Sequence, residues 1–123
     1  MAFVMKKKGF GFQQKVGIPV LNEDGTTTEH QIELTMRHMG RSEFTAMQAE
    51  NIDREGKTGL DIDVEYIMRF VQGWKDVTDE AGKAMPFNEE NVRVLLDNHP
   101  SAASAIVSAF TDAVVLGGAR LKN

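Results

Sequence analysis

The sequence predicts an α+β domain in which an N-terminal β-hairpin is followed by about four α-helices packed as a small bundle. From Val16 to His38, apolar and polar residues alternate on either side of a turn, which is the period of half-buried strands. From Phe44 to Val114, apolar residues recur every three or four positions, as on the buried faces of helices. The 123 residues, 41% of them hydrophobic, are enough for one core of ordinary size.

The predicted domain covers residues 15–118, with the hairpin in 15–39 and the helices within 41–118. Residues 1–14 form a basic N-terminal arm, flexible or strand-like, because Lys6, Lys7 and Lys8 have no acidic neighbour. Residues 119–123 are a short C-terminal tail. No internal repeat divides the chain.

The hairpin is the first predicted element. Val16, Ile18 and Val20 share one face of the first strand, and Pro19, which has no N–H to donate, indicates an edge strand or a bulge. Asn22 to Gly25 has the composition of a turn. In residues 30–38 apolar positions again alternate with polar ones, so the second strand also has one apolar face.

Four helices are predicted to follow. Ser42 is expected to cap the first, Asp61 or Asp63 the second, Asn88 the third, and Ser101 or Ser104 the fourth. The second helix is expected to carry Trp74 at its end, where Gly73 and the acidic turn that follows stop it. Gly117-Gly118 is expected to end the fourth helix. The apolar faces expected, in chain order, are Phe44, Met47 and Ile52; Val64, Ile67, Met68, Val71 and Trp74; Val92, Leu95 and Leu96; and Ile106, Phe110 and Val114.

Composition bounds the function. The net charge is −4 and there is no cysteine, which excludes disulfides and thiolate metal sites and fits a cytosolic protein. No apolar run is long enough to span a bilayer, and the first eight residues do not have the pattern of a secretory signal. We therefore expect a soluble intracellular domain without a membrane partner.

One motif suggests nucleic-acid binding. The segment Lys8-Gly9-Phe10-Gly11-Phe12 resembles the core of the RNP1 motif, in which aromatic rings stack on bases. Gln13, Gln14 and Lys15 then depart from the motif, and local packing of the two Phe rings is the favoured reading. A small single-stranded nucleic-acid-binding module that uses Lys8–Phe12 stays open as an alternative.

Motifs for metals, nucleotides and catalysis fail on spacing. Asp61 to Glu65 alternates like a Ca²⁺ loop, but Tyr66 and Gln72 stand where Gly and Glu are needed. Gly56-Lys57-Thr58 lacks the upstream Gly of a phosphate-binding loop, and no serine lies in a nucleophile elbow. We expect no enzyme activity, no cofactor and no metal.

The second half of the chain, residues 61–123, contains a recognisable pattern of positions. They are Trp74, the Asp79/Gly82 turn, Pro86-Phe87, Asn91, Leu95-Leu96, Pro100 and Lys122-Asn123. In this pattern the chain resembles the tail assembly chaperones of long-tailed, siphovirus-type bacteriophages, and the resemblance implies a protein that binds the tape measure protein, keeps it soluble and helps recruit tail tube subunits. It also implies self-association, a location in the host cytoplasm and absence from the mature virion. A structural tail component such as a terminator is a further alternative.

Candidate partner-binding residues follow from large apolar side chains in this region. Seven methionines in 123 residues fit the packing of an irregular core, which is the favoured interpretation, and they also suit a surface that can accept varied apolar helices. The candidates are Phe70, Trp74, Met85, Phe87 and Phe110.

Overall fold

The computed structural model describes residues 2–7, 9–50 and 55–117. A three-stranded antiparallel sheet in the order β1-β2-β3 forms one layer, and helices pack on one of its faces. The elements in chain order are β1 Gly11–Leu21, β2 Thr27–Arg37, α1 Arg41–Ala49, α2 Gly59–Met68, β3 Val71–Lys75, α3 Glu89–Asn98 and α4 Ala102–Val115.

The predicted hairpin is confirmed. β1 and β2 pair antiparallel in a register that places Val16 opposite Ile32, and the Asn22 N–H donates to the Thr26 carbonyl at 2.8 Å across the turn. Gly25 occupies the turn at φ 87°, a backbone region that favours glycine. Even-numbered residues of both strands face the helices and odd-numbered ones face solvent, so the alternation in the sequence is the alternation of the sheet.

The predicted fold class is wrong in one element. The strands are not confined to an N-terminal hairpin, because α2 ends at Met68 and the chain returns to the sheet as β3, which pairs with β2. Trp74 therefore lies on a strand, opposite Leu34, instead of closing a helix. The expected helical bundle is replaced by a sheet with helices packed against it.

A β-bulge explains the error. β2 pairs Thr35 with Gly73 and Met36 with Val71, so the register shifts between these two pairs and one extra residue of β3 lies between them. The bulge turns both Val71 and Trp74 toward the core face. Apolar residues three apart on a strand then have the spacing of a helical face.

Two of the predicted helix caps are also wrong. α1 begins after Gly40 with no side-chain cap, and α2 is capped by Thr58, whose hydroxyl accepts from the Asp61 N–H while the Asp61 carboxylate accepts from the Thr58 N–H. Asn88 caps α3 as predicted, accepting from the Asn91 N–H at 2.7 Å. α4 begins after Ser101, one of the two predicted starts. Ile52 and Gly118 lie outside the described residues.

The core is centred on stacked aromatic rings between the sheet and the helices. Phe70, in the short link between α2 and β3, stacks on Phe110 of α4 with ring centroids 4.0 Å apart, and Phe44 of α1 contacts the same Phe110 ring. Both Phe70 and Phe110 are almost completely buried, as are Leu34 and Met36 of β2. α1, α2, α4 and the sheet therefore share one hydrophobic core.

Candidate functional site

Trp74 joins the sheet to the loop that follows it. Its indole Nε1–H donates to the Met85 carbonyl oxygen at 2.7 Å, across eleven residues of chain. Its ring packs edge-on against Phe87, with centroids 5.3 Å apart. Both contacts are made by one side chain on β3, so the C-terminal end of the loop over residues 76–86 is held against the sheet.

Asp79 organises the interior of that loop. Its Oδ1 accepts from the backbone N–H groups of Ala81 and Lys83, each at 2.9 Å, and its own N–H donates to the Lys83 carbonyl. Gly82 supplies the positive φ of 82° that this turn needs. The predicted Asp79/Gly82 turn is thus closed by hydrogen bonds within the turn itself.

The start of α3 fastens the other side of the loop. Asn88 caps the helix, and the Asn91 side-chain amide donates to the Pro86 carbonyl at 2.8 Å. Phe87 lies between Pro86 and Asn88 in the sequence and is half-buried against the core. The Pro86-Phe87 step and Asn91, which the sequence singles out together, therefore act as one connection between loop and helix.

These contacts form a groove of about 450 Å³ between the loop and α3, here called the Trp74–α3 groove. Its polar lining includes the carboxylates of Asp79 and Glu80 and the imidazole of His99. Val94 of α3 is 40% exposed, so an apolar side chain of the lining is accessible to a partner. The apolar residues that line the groove are Trp74, Val77, Met85, Val94 and Leu95.

The five predicted partner-binding residues divide into two groups. Trp74 and Met85 line the groove, and the Phe87 ring packs edge-on against the Trp74 ring. Phe70 and Phe110 lie in the core instead, where neither is accessible to a partner in this conformation. Sequence reasoning missed Val94, although its signal was present: an apolar residue between Val92 and Leu95, off the buried face of α3.

A second groove of about 350 Å³ lies between α1 and the end of α4. Met39, Phe44 and Val115 line it, and Arg41 brings a positive charge to it. It contains none of the residues of the tail-chaperone pattern. The Trp74–α3 groove is therefore the better candidate for a family function.

The charged groups near α2 are paired for structure. The Thr58 N–H and, next in strength, the Arg93 guanidinium hold the pKa of Asp61 below its ordinary value, because both favour the charged carboxylate. Arg93 lies 2.5 Å from Asp61 and so connects α3 to the start of α2. This pair fixes the position of the helix that carries Val94.

The N-terminal aromatic residues have separate surroundings. Phe10 stacks on His38 with centroids 4.5 Å apart, and Phe12 packs against the core. Lys8 of the predicted Lys8–Phe12 motif lies outside the described residues. Phe10 is exposed whereas Phe12 is partly buried, so the described part of the motif does not present two exposed rings on which bases could stack.

Across residues 2–7, 9–50 and 55–117, no helix has the length and apolar character needed to cross a membrane. Over the same ranges, no three His, Asp or Glu side chains converge as metal ligands would.

The chain matches a known protein family along its whole length. The family model described as phage tail assembly chaperone matches residues 1–123, so the match covers the N-terminal hairpin as well as the Trp74–α3 region. Neither the curated proteins nor the solved structures include a match. The whole-chain match to the family model identifies this chain as a member of the phage tail assembly chaperone family.

Proposed function

We propose that this protein binds the tape measure protein of its phage through the Trp74–α3 groove and keeps that protein soluble during tail assembly. The observation that supports the proposal is the combination of apolar side chains with the carboxylates of Asp79 and Glu80 in the lining of the groove. An amphipathic helix binds such a groove by inserting apolar side chains at i, i+3 or i+4 spacing. The two carboxylates favour a helix that carries Lys or Arg beside its apolar stripe.

The proposal includes later steps that the groove alone does not explain. After binding, the chaperone helps recruit tail tube subunits around the tape measure protein. It works without catalysis in the host cytoplasm and is absent from the mature virion. Mass spectrometry of purified virions tests the last point, since recovery of this chain at a fixed copy number would contradict it.

Co-expression with the tape measure protein tests the binding step. We expect the chaperone to raise the soluble fraction of that protein and to co-purify with it. Val94→Glu places a charge among the apolar side chains that line the groove and should abolish both effects. Because Val94 is partly exposed, the variant should still fold.

Leu21→Glu is the matched control. Leu21 is also a large apolar residue, 74% exposed, but it lies at the hairpin end, outside the groove. Binding that survives in Leu21→Glu and disappears in Val94→Glu supports the groove. If neither variant alters co-purification, the groove is not the binding site; if the wild-type chain has no effect on solubility, the proposed function itself is wrong.

A further inference from the structure

The outer edge of β1 is the longest unpaired strand edge in the described part of the chain. β1 lies at the end of the β1-β2-β3 sheet, and β2 covers its inner side. At the two ends of the ladder the groups bonded to β2 belong to even-numbered residues: Asn22 donates to Thr26, and Phe10 accepts from His38. In an antiparallel pair, the alternate residues then point their N–H and C=O groups away from the partner strand.

Two contacts confirm this direction. The Pro19 carbonyl accepts from the Ser101 hydroxyl at 3.2 Å, and the Lys15 carbonyl accepts from the side-chain amide of Gln14 at 3.3 Å. Both donors are side chains outside the β1–β2 backbone ladder, as expected for carbonyls that point away from β2. The edge from Gly11 to Gly17 presents a row of backbone donors and acceptors, and Pro19, which has no N–H, marks where strand pairing must stop.

A groove runs beside this edge. It has a volume of about 250 Å³ and separates β1 from α4, with Ala105 and Ala109 near one end and Asp112 near the other. The small side chains of α4 leave room for those of an added strand. α4 runs antiparallel to β1, since Ser101 at its start contacts Pro19 near the end of β1. The carboxylate of Asp112 therefore lies toward the start of β1.

Residues 2–7 of the same chain have the features of the missing strand. They belong to no helix, strand or turn in the structure, and Phe3, Val4 and Met5 are 87%, 74% and 83% exposed. Lys6 and Lys7 follow directly. The segment is thus an exposed, apolar stretch with a basic end, and its length is close to that of the open edge.

We propose that residues 2–7 of a second copy of this chain add to the β1 edge as an antiparallel strand, lying between β1 and α4. This direction brings Phe3 toward Ala105 and brings Lys7 toward the end of the groove that Asp112 lines. Recognition combines backbone hydrogen bonds with alternate side chains seated in the groove, as in other cases of strand addition. The proposal gives the chain a surface for self-assembly that is separate from the Trp74–α3 groove.

Side-chain parity limits the register. The register proposed here places Val4 opposite Lys15, so that Phe3 and Met5 share the inner face with Val16 and Gln14. In this register Lys6 faces Gln13 instead of Lys15, so two lysines do not meet. Val4 and Lys15 then form a hydrogen-bonded pair, whose Cα atoms are about 5.5 Å apart and within reach of a disulfide.

Cysteine cross-linking tests the register directly, because the chain has no cysteine of its own. Full-length Val4→Cys and Lys15→Cys chains are mixed under mild oxidation. We expect a covalent heterodimer to form about tenfold faster or more than with the control pair of Val4→Cys and Glu23→Cys, because strand pairing raises the local concentration of the two thiols. Glu23 lies in the exposed hairpin turn.

Two results would overturn the proposal. One is a heterodimer yield equal to that of the control pair. The other is a bond that forms only within a Val4→Cys/Lys15→Cys double variant, which would mean that the segment pairs with the edge of its own chain.

A proline variant tests the edge without cysteines. Lys15→Pro removes an N–H that points away from β2, so the sheet should keep its fold, as it does with Pro19. The sedimentation velocity of a concentration series should show a dimer dissociation constant raised about tenfold or more relative to Lys15→Ala. Equal self-association of the two variants would assign the interface to another surface, and a wild-type chain that stays monomeric throughout the series would reject the proposal. Tape measure binding through the Trp74–α3 groove does not depend on either outcome.

Discussion

Replacing Trp74 with phenylalanine tests how strongly one hydrogen bond holds the loop of the groove. The change removes the Nε1–H that donates to the Met85 carbonyl at 2.7 Å but keeps an aromatic ring beside Phe87. A carbonyl that loses its donor in a half-buried site costs about 1 kcal/mol, the low end of the range for buried groups. The smaller ring gives up apolar contact worth about another 1 kcal/mol. We therefore expect the free energy of unfolding to fall by about 2 kcal/mol.

Urea unfolding followed by far-UV circular dichroism measures this loss, since the variant lacks the single tryptophan of the chain. With a slope of about 2 kcal/mol per molar urea, the midpoint should fall by about 1 M. Tyr66→Phe is the control. It removes a hydroxyl that has no hydrogen-bond partner among the described residues, and it keeps the ring beside Phe70. We therefore expect its free energy of unfolding to change by no more than about 0.5 kcal/mol. A loss of that small size in Trp74→Phe would refute the reasoning that this bond holds the loop.

Three further predictions concern the elements around the groove. Asn88→Ala removes the α3 cap and should lower the free energy of unfolding by about 1 kcal/mol in thermal melts, while an unchanged melting temperature would contradict the role of the cap. Phe110→Ala empties the centre of the aromatic core and should cost about 3–5 kcal/mol in urea unfolding; a loss below about 1 kcal/mol would mean that the core is not organised around this ring. Asp61→Asn should destabilise at neutral pH, because Thr58 and Arg93 depress the Asp61 pKa below 3.8 and the stabilisation is complete above that value. Its deficit relative to wild type should shrink as the pH falls through the lowered pKa, and a deficit independent of pH would exclude the charged pair as its source.

The parts of the fold that local chemistry dictates were predictable. The hairpin follows from alternation on both sides of a turn in which Gly25 takes positive φ, and the start of α3 follows from Asn88 as its cap. In each case the residues that decide the structure lie within a few positions of one another. The predicted strands and cap therefore agree with the structure.

The third strand was not predictable in the same way. The bulge places Val71 and Trp74 on one face at a separation of three, so the core-facing residues of β3 continue the helical spacing of α2. Phe70 also makes helix and strand hard to tell apart, because it follows the end of α2 but is buried in the core like the apolar residues of that helix. Only pairing with β2, a contact between residues distant in sequence, shows that the chain has changed from helix to strand.

The groove was predictable only in part. Trp74 and Met85 were identified as large apolar residues of the family pattern, but their contact depends on a hydrogen bond between an indole and a distant backbone carbonyl. Phe70 and Phe110 have the same composition signal and lie in the core. Side-chain size does not reveal which aromatic residue faces solvent, so the separation of groove from core required the tertiary structure.

The most direct test of the central claim is the fluorescence of Trp74 during titration with the purified tape measure protein. Trp74 is the single tryptophan of this chain and lines the groove, so its emission reports on the proposed site itself, provided that a partner variant without tryptophan is used. We predict a saturable shift of the emission to shorter wavelength as a helix covers the indole, present in Leu21→Glu and absent in Val94→Glu. Saturable binding, established by sedimentation, that leaves the Trp74 emission unchanged would contradict the assignment of the groove as the binding site.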